Sequence, residues 1–361
     1  MLSRTEIFVR HRIKCSKAKF TQFYKRIFPK HNIIKTIPIL SFIFIKLYGI
    51  IYRKLEILFR TGSIFFRVIM KPLTKDAVVT EIQNSKLIKG KAMRALTQQI
   101  EKIIKDSDGV WGIVLEDLQT KEKWTYNEQE QFPAASIIKL PIMVAAFQAA
   151  EDKIIRLSDT YQLLQDDLVG GSGVLQHMTP GTNMTINDLI TLMIIQSDNT
   201  ATNILIDLLN INYIQETMRR MEMNQSACYN KLMIVPVNRI GTNHLTARDV
   251  SHLLKQLAQG ALVSEHACEQ MIEIMKKQQI KDGFPGKLPS PQETNIVGAI
   301  PKWQLANKTG NITKVRHDVG IFYVGNRQLI ATALSKNMND FTAKTYLMEV
   351  GESIYQYLQK V

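Results

Sequence analysis

Ser136 and Lys139 are the residues whose types and spacing most directly suggest chemistry in this sequence of 361 residues. They stand three positions apart, and an apolar, helix-favouring run follows them. If a helix begins near Ser136, this spacing puts the hydroxyl and the amine on one face, where a desolvated lysine can take the proton of a serine nucleophile. The free backbone N–H groups of that helix start would point towards the group under attack. Taken alone, the pair also fits a surface serine beside a snorkelling lysine, which is the commoner occurrence.

Two further motifs favour the catalytic interpretation. Ser197-Asp198-Asn199 lies between two apolar stretches, and Lys308-Thr309-Gly310 ends an apolar run. The order S-x-x-K, S-D-N, K-T-G resembles the signature of class A β-lactamases and penicillin-binding proteins. The resemblance covers roughly residues 90–361 and includes three more segments, 171–176, 185–189 and 317–320. It implies a serine acyl-enzyme hydrolase that opens β-lactam rings or acts on D-alanyl peptides.

The resemblance also implies a role for each candidate catalytic residue. Ser136 would attack a carbonyl carbon while Lys139 helps to remove its proton. Ser197 would carry the proton to the leaving nitrogen, and Asn199 would hold Lys139 and the substrate amide. Lys308 would attract an anionic substrate and keep the neighbouring amine deprotonated.

The candidate substrate-binding residues are Thr309, Gly310, Asn311 and Arg316. By the same resemblance, Thr309 would hydrogen-bond a substrate carboxylate, and the backbone N–H groups of Ser136 and Asn311 would form the oxyanion hole. Arg316 is a candidate second carboxylate clamp, because the guanidinium group binds carboxylates through two parallel hydrogen bonds. A solvated charge at the end of a strand explains Arg316 equally well.

One part of the class A pattern is missing. Class A β-lactamases carry a glutamate, in an E-x-x-L-N pattern between the second and third motifs, which activates the water that clears the acyl-enzyme. The corresponding residues here, 223–248, include no Asp or Glu. Because the second half-reaction then lacks an obvious general base, we expect ready acylation and slow deacylation. His244 could substitute, but a lone loop histidine is usually incidental.

Composition limits the function classes. The apolar content of 45% suits a globular core. The formal net charge is +14, yet residues 1–75 hold 17 of the 46 basic residues and 2 of the 32 acidic ones, so the remainder is nearly neutral. The three cysteines show neither a disulfide framework nor metal-ligand spacing. We therefore expect no metal and no cofactor.

The basic, apolar arm at residues 1–75 predicts an association with the membrane. Its longest apolar run, 36–52, is shorter than the roughly 20 residues of a typical span and contains Lys46. A single uncleaved anchor and a basic amphipathic segment on an anionic surface both fit. A nucleic-acid arm fits less well, and we expect no nucleic-acid partner. If the arm spans, the distribution of its basic residues places the catalytic domain outside.

The periodicity of residues 76–361 predicts an α/β (α+β) fold. An initial helix, 80–107, precedes two strands, 109–118 and 123–127; three strands near the end, 304–309, 318–324 and 328–335, precede a closing helix, 343–358. Together these strands predict one antiparallel five-stranded sheet flanked by helices. An α/β lobe, about 80–140 and 300–361, would enclose an all-α insert, about 141–299, with Asn199 capping one of its helices.

Three functions of different classes remain open. The first is a hydrolase that acts on a β-lactam or on the stem peptide of peptidoglycan. The second is a binder or sensor, or a penicillin-binding protein without turnover, that β-lactams acylate and that reports through the arm. The third is a basic membrane or nucleic-acid tether with a dead domain. Release of product over many turnovers would distinguish the first from the second, and failure of a fluorescent penicillin to label Ser136 would favour the third.

Overall fold

A five-stranded antiparallel β-sheet forms the centre of this computed structural model, which describes residues 75–233, 241–291 and 301–360. Its strands are β1 (Val110–Asp117), β2 (Lys123–Tyr126), β7 (Trp303–Ile312), β8 (Val315–Val324) and β9 (Arg327–Lys336). They are arranged in the order β2-β1-β9-β8-β7. The strands at the two ends of the chain meet where β1 pairs with β9. The predicted sheet and fold class are therefore confirmed.

Eight helices surround this sheet in the described residues: α1 (Lys75–Lys105), α2 (Lys139–Glu151), α3 (Ile186–Ile195), α4 (Asn199–Leu209), α5 (Ile211–Arg220), α6 (Ala247–Ala258), α7 (Glu265–Lys276) and α8 (Asp340–Lys360). The insert expected to be all helix, about 141–299, also holds short strands. Within it β4 (Thr160–Gln162) pairs with β5 (Asn183–Thr185), and β6 (His244–Thr246) pairs with β3 (Gln131–Pro133), which precedes the insert. Three-residue strands lie below the length at which alternation is readable in a sequence.

The two faces of the sheet belong to two hydrophobic cores. Successive side chains of a strand point to opposite faces, so Trp111 and Ile113 of β1 pack with α1 and α8, while Val114 packs with the helical region. In β8, Phe322 lies in the core that contains α1 and α8, and Ile321 lies in the core formed with the helical region. The alternation explains why these strands are apolar throughout and still separate two layers of helices.

The helix starts follow standard capping chemistry, with one difference from expectation. Thr246 and Ser264 accept hydrogen bonds from backbone N–H groups in the first turns of α6 and α7. At α4 the cap is Asp198, whose side chain accepts from Ala201 N, so the expectation that Asn199 caps this helix is wrong. The aspartate is the better-placed acceptor, and the Asn199 carboxamide is left available for the site.

Helix α2 is the central helix of the helical region. Ten of its thirteen residues are buried, including Lys139 at its first position. A helix that is apolar nearly all round must be enclosed by other elements. This burial is what removes Lys139 from water.

Residues 1–74 of the basic arm lie outside the described residues. No helix within 75–233, 241–291 and 301–360 has the length and hydropathy that crossing a membrane requires. The association of residues 1–75 with a membrane therefore stays a prediction.

Candidate active site

Ser136 lies in a single 3-10 turn, Ala135–Ile138, that leads directly into α2. The preceding residue, Ala135, has a φ of 44°, a left-handed conformation that is strained for a residue with a Cβ atom. Ala134 N donates to Asn243 O at 2.9 Å, which ties this turn to the residues beside β6. Strain of this kind persists only where surrounding contacts fix it, and it is concentrated at functional sites.

Lys139 is fully buried and holds the second motif against the first. Its Nζ lies 2.6 Å from Ser197 O, 3.2 Å from Ser197 Oγ and 2.9 Å from Asn199 Oδ1. Burial, and next the nearby charge of Lys308, lower the pKa of Lys139 well below its ordinary value, against an opposing effect of Asp198. A neutral amine with a free lone pair is the form that can accept a proton.

Lys308 approaches the same hydroxyl from the sheet. Its Nζ lies 3.0 Å from Ser197 Oγ and 2.8 Å from Thr309 O. Burial lowers the pKa of Lys308 to about 7, although Asp318 opposes the shift. The hydroxyl of Ser197 therefore connects two buried amines, and the pKa of each is lowered.

The S-D-N turn is fixed by its aspartate. Ser197 has a φ of 54°, and Asp198 Oδ2 accepts from the backbone N–H groups of Val174 and Leu175 at 2.7 and 2.8 Å. Gly173, with a φ of 106°, passes so close that a Cβ there would lie 2.3 Å from the Asp198 carboxylate. Asp198 thus joins α4 to the glycine-rich loop. The sequence pattern Gly170-Gly-Ser-Gly signals such a close approach.

Most of the candidate residues line one cavity. Ser136, Ser197, Thr309, Gly310, Asn311 and Arg316 contribute to its walls. Lys139 and Lys308 lie behind the wall and reach the Ser197 hydroxyl. Further lining residues that the sequence analysis did not select include Ser172, Asp282 and His317. The structure brings the three motifs together; the roles assigned to the individual residues stay predictions.

Arg316 lines the cavity but is not a free clamp. Its Nη1 donates to both carboxylate oxygens of Asp340 at 2.9 Å, and its Nη2 donates to Asp282 Oδ2 at 2.5 Å. Nor is it a solvated charge, because its side chain is only 9% exposed. A substrate carboxylate would have to compete with two protein carboxylates for this guanidinium.

His317 is a buried, neutral imidazole next to the nucleophile turn. Nδ1 accepts from Ser335 N at 3.1 Å, so Nε2 carries the proton and donates to Pro133 O at 2.8 Å. The ring also packs edge-on against Phe132. Burial lowers the pKa of His317 to about 4. The imidazole joins β8 and β9 to the strand that leads to Ser136.

Asp318 is a buried carboxyl on the sheet beneath the K-T-G strand. Oδ1 accepts from Asn307 Nδ2 at 2.9 Å and Oδ2 from Phe284 N at 2.7 Å. Burial raises the pKa of Asp318 to about 7, against these hydrogen bonds and the charge of Lys308. The carboxyl holds Asn307, the residue before Lys308, in place.

Leu232, in the segment expected to lack a general base, is held against the S-D-N helix. Asn203 stands four residues after Asn199 in α4, so both side chains lie on one face. Its carboxamide accepts from Leu232 N at 2.8 Å and donates to Leu232 O at 2.9 Å. His244 Nδ1 lies 2.9 Å from Thr242 O, and this histidine is not among the cavity-lining residues.

No group of three or more His, Cys, Asp or Glu side chains is arranged to hold a metal ion within residues 75–233, 241–291 and 301–360. The polar groups that converge on the cavity are mainly hydroxyls, amines and amides. Such a set supports nucleophilic acyl transfer through a serine and an amine base.

Comparison with known sequences agrees with this chemistry. The model of the beta-lactamase enzyme family matches residues 95–358, and the chain belongs to that family. The beta-lactamase of Rhodobacter capsulatus is 31% identical over 114 residues, which is 32% of this chain and 39% of that protein. Beta-lactamase CARB-4 of Pseudomonas aeruginosa is 33% identical over 98 residues, which is 27% of this chain and 34% of that protein. The chain thus spans well under half the length of these curated relatives.

Solved structures match over much more of the chain. A beta-lactamase from Sphaerobacter thermophilus has a TM-score of 0.66 at 25% identity, and PBP-A has a TM-score of 0.65 at 26% identity. Both matches cover 74% of this chain and 97% of the solved one. A point mutant of PBP-A, solved as an acyl-enzyme complex with penicillin G, matches with a TM-score of 0.65 at 25% identity and with the same coverage. The resemblance to class A β-lactamases and penicillin-binding proteins is confirmed for family and fold.

Proposed function

We propose that the protein is a serine acyl-transfer enzyme that β-lactams acylate on Ser136 and that releases the acyl group slowly. The observation that carries the proposal is the position of the Ser197 hydroxyl, 3.2 Å from Lys139 Nζ and 3.0 Å from Lys308 Nζ, in the cavity that Ser136 also lines. An S-x-x-K serine needs such an amine to take its proton.

In the proposed reaction, Ser136 Oγ attacks the lactam carbonyl and a new C–O bond forms. Lys139 takes the hydroxyl proton. The C–N bond then breaks, and Ser197 donates its proton to the nitrogen while Lys139 or Lys308 restores it. Backbone N–H groups of Ser136 and Asn311 stabilise the oxyanion, each worth about 10²–10³ in rate. The products are an ester on Ser136 and a free ring N–H group.

Slow release of the ester is the second part of the proposal. Residues 223–248 contain no carboxylate. Of the described residues that line the cavity, only Asp282 carries a carboxylate. It is paired with Arg316 and Lys344. A carboxylate so engaged is a poor base for activating water. This chemistry is that of a penicillin-binding protein more than that of an efficient antibiotic-degrading enzyme.

The natural acyl donor is proposed to be either a β-lactam or a D-alanyl peptide of the peptidoglycan stem. The arm at residues 1–75 would attach the enzyme to the membrane with its catalytic domain outside. Cell fractionation of the full chain and of a form lacking the arm tests the attachment. Recovery of both forms in the soluble fraction would contradict it.

A second candidate function is a non-turnover β-lactam sensor, which the lack of a carboxylate in residues 223–248 favours. Time-resolved labelling by a fluorescent penicillin, with Ser136→Ala as the control, separates the possibilities. We expect stoichiometric labelling of the wild type and none of the variant. Release of D-alanine from a pentapeptide would favour the enzyme, and labelling without any turnover would favour the sensor. Rapid multiple turnover of a chromogenic cephalosporin would contradict slow deacylation.

A further inference from the structure

A carboxylate in the cavity wall, Asp282, pairs with Arg316, the candidate cation for binding a substrate carboxylate. Asp282 and Arg316 both line the cavity, and Arg316 Nη2 donates to Asp282 Oδ2 at 2.5 Å. The other lining residues carry hydroxyl, amide, backbone, imidazole or apolar groups. The guanidinium of Arg316, a candidate clamp for a substrate carboxylate, is therefore already engaged by a carboxylate of the same cavity.

The remaining charges around Arg316 add to this neutralisation. Its Nη1 is bound by both oxygens of Asp340, and Lys344 Nζ lies 3.3 Å from Asp282 Oδ2. The cluster holds two cations and two carboxylates, with a net charge of zero. An incoming anion therefore gains little attraction unless one protein carboxylate gives way.

Asp282 is held in its ionised form in this position. Burial alone would raise the pKa of Asp282, but the charge of Arg316 and the hydrogen bonds from Arg316 and Lys344 outweigh burial and lower it below its ordinary value. Its second oxygen, Oδ1, is buried and accepts no hydrogen bond from the described residues. Leaving a buried acceptor unpaired costs free energy, and a native fold that retains one calls for an explanation.

We propose that Asp282 competes with the substrate carboxylate for Arg316 and so determines which acyl donors the site prefers. The inference rests on the proposed function and concerns its specificity. A substrate with a carboxylate beside the scissile bond must displace Asp282 from Nη2 before it can bind the guanidinium. A substrate with a neutral ester or amide at that position has no such requirement. The site therefore favours anionic donors less than an unpaired arginine would.

The test measures binding separately from acylation. In the Ser136→Ala background, calorimetric titration compares benzylpenicillin with its methyl ester, which lacks the carboxylate charge. The variants are Asp282→Asn, which keeps the shape, Asp282→Ala, which removes every acceptor, and Asp340→Asn. The last is the matched control because Asp340 pairs with the same guanidinium but does not line the cavity. Thermal unfolding midpoints establish that each variant is folded.

We expect both Asp282 variants to bind benzylpenicillin about tenfold more tightly than the parent, in keeping with the strength of one hydrogen bond to a charged group. Binding of the ester is expected to stay the same. Unchanged or weaker binding of benzylpenicillin, an equal gain for the ester, or an equal gain in Asp340→Asn would each overturn the proposal. Labelling of the chain with intact Ser136 reports separately on the acyl-transfer function.

Discussion

Lys308 Nζ lies 3.0 Å from Ser197 Oγ, although the two residues are 111 positions apart in the chain. Both side chains are buried, and the hydroxyl also lies 3.2 Å from Lys139 Nζ. A single hydroxyl proton can therefore move between two amines without passing through water. The proposed acyl transfer depends on this arrangement rather than on any one motif.

Replacing Ser197 with Ala should slow the acylation of Ser136 by about 10²–10³, because the leaving nitrogen loses its proton donor. The measurement is the second-order rate of fluorescent-penicillin labelling. Ser172→Ala is the matched control, since Ser172 also lines the cavity but its hydroxyl donates to Gln196 O. Equal rates for Ser197→Ala and the wild type would remove Ser197 from the mechanism.

Gly173→Ala should reduce both acylation and stability. The added Cβ would meet the Asp198 carboxylate at 2.3 Å and disturb the turn that carries Ser197. Gly181→Ala is the control, because Gly181 has a similar φ of 94° and open space around its Cβ position. Both variants share a backbone penalty of about 1 kcal/mol. We expect only Gly173→Ala to slow labelling, and a similar loss in Gly181→Ala would point to backbone strain alone.

Protonation of His317 should destabilise the fold in acid. The pKa of His317 is lowered to about 4 from an ordinary 6.5, so its stabilising contribution is complete above pH 6.5 and is lost as the pH falls towards 4. At pH 4.5 the loss amounts to about 2–3 kcal/mol. Urea unfolding at pH 7.5 and 4.5 measures it. His317→Gln, which keeps one donor and one acceptor, should show a smaller loss.

Unfolding must be compared between wild type and His317→Gln because the neighbouring Asp318 changes the free energy of unfolding with pH in the opposite direction. Its pKa is raised to about 7, so its contribution is complete below pH 3.8 and is lost as the pH rises towards 7. The difference between the two chains removes this shared effect. Parallel pH curves for both chains would show that the His317 imidazole does not titrate as proposed.

Leu232→Glu should accelerate release of the acyl group by at least about tenfold, because a general base contributes about 10²–10⁴. Asn203 holds the Leu232 backbone one helical turn from Asn199, which binds Lys139. A carboxylate at 232 would therefore enter the neighbourhood of the site. The measurement is the lifetime of the penicilloyl-enzyme by mass spectrometry.

Met233→Glu is the control for that substitution, since the Met233 side chain is 63% exposed. It adds the same charge at the next residue, while the hydrogen bonds of Asn203 are made to the backbone of Leu232. An acyl-enzyme in Leu232→Glu as long-lived as in the wild type would argue against a missing base as the cause of slow release. The unfolding midpoint distinguishes such a result from loss of the fold.

The order of elements could be read from the sequence because it depends on local patterns. Strand β1, expected at 109–118, is Val110–Asp117, and the closing helix, expected at 343–358, is Asp340–Lys360. The short pairs β3–β6 and β4–β5 escaped notice because three residues do not establish a period. The cap of α4 was misassigned because Asp198 and Asn199 are both good caps, and only the backbone conformation distinguishes them.

The sequence by itself identified the candidate nucleophile, its neighbouring amine and the three motifs, because each motif is a run of consecutive residues with recognisable chemistry. It also determined that residues 223–248 lack a carboxylate. Only the tertiary structure decided which charged groups are removed from water and which are paired. Burial lowers the pKa of Lys139 and Lys308, and pairing with Asp282 and Asp340 occupies Arg316. Desolvation and ion pairing depend on residues far apart in the chain, and no local pattern specifies which of them meet.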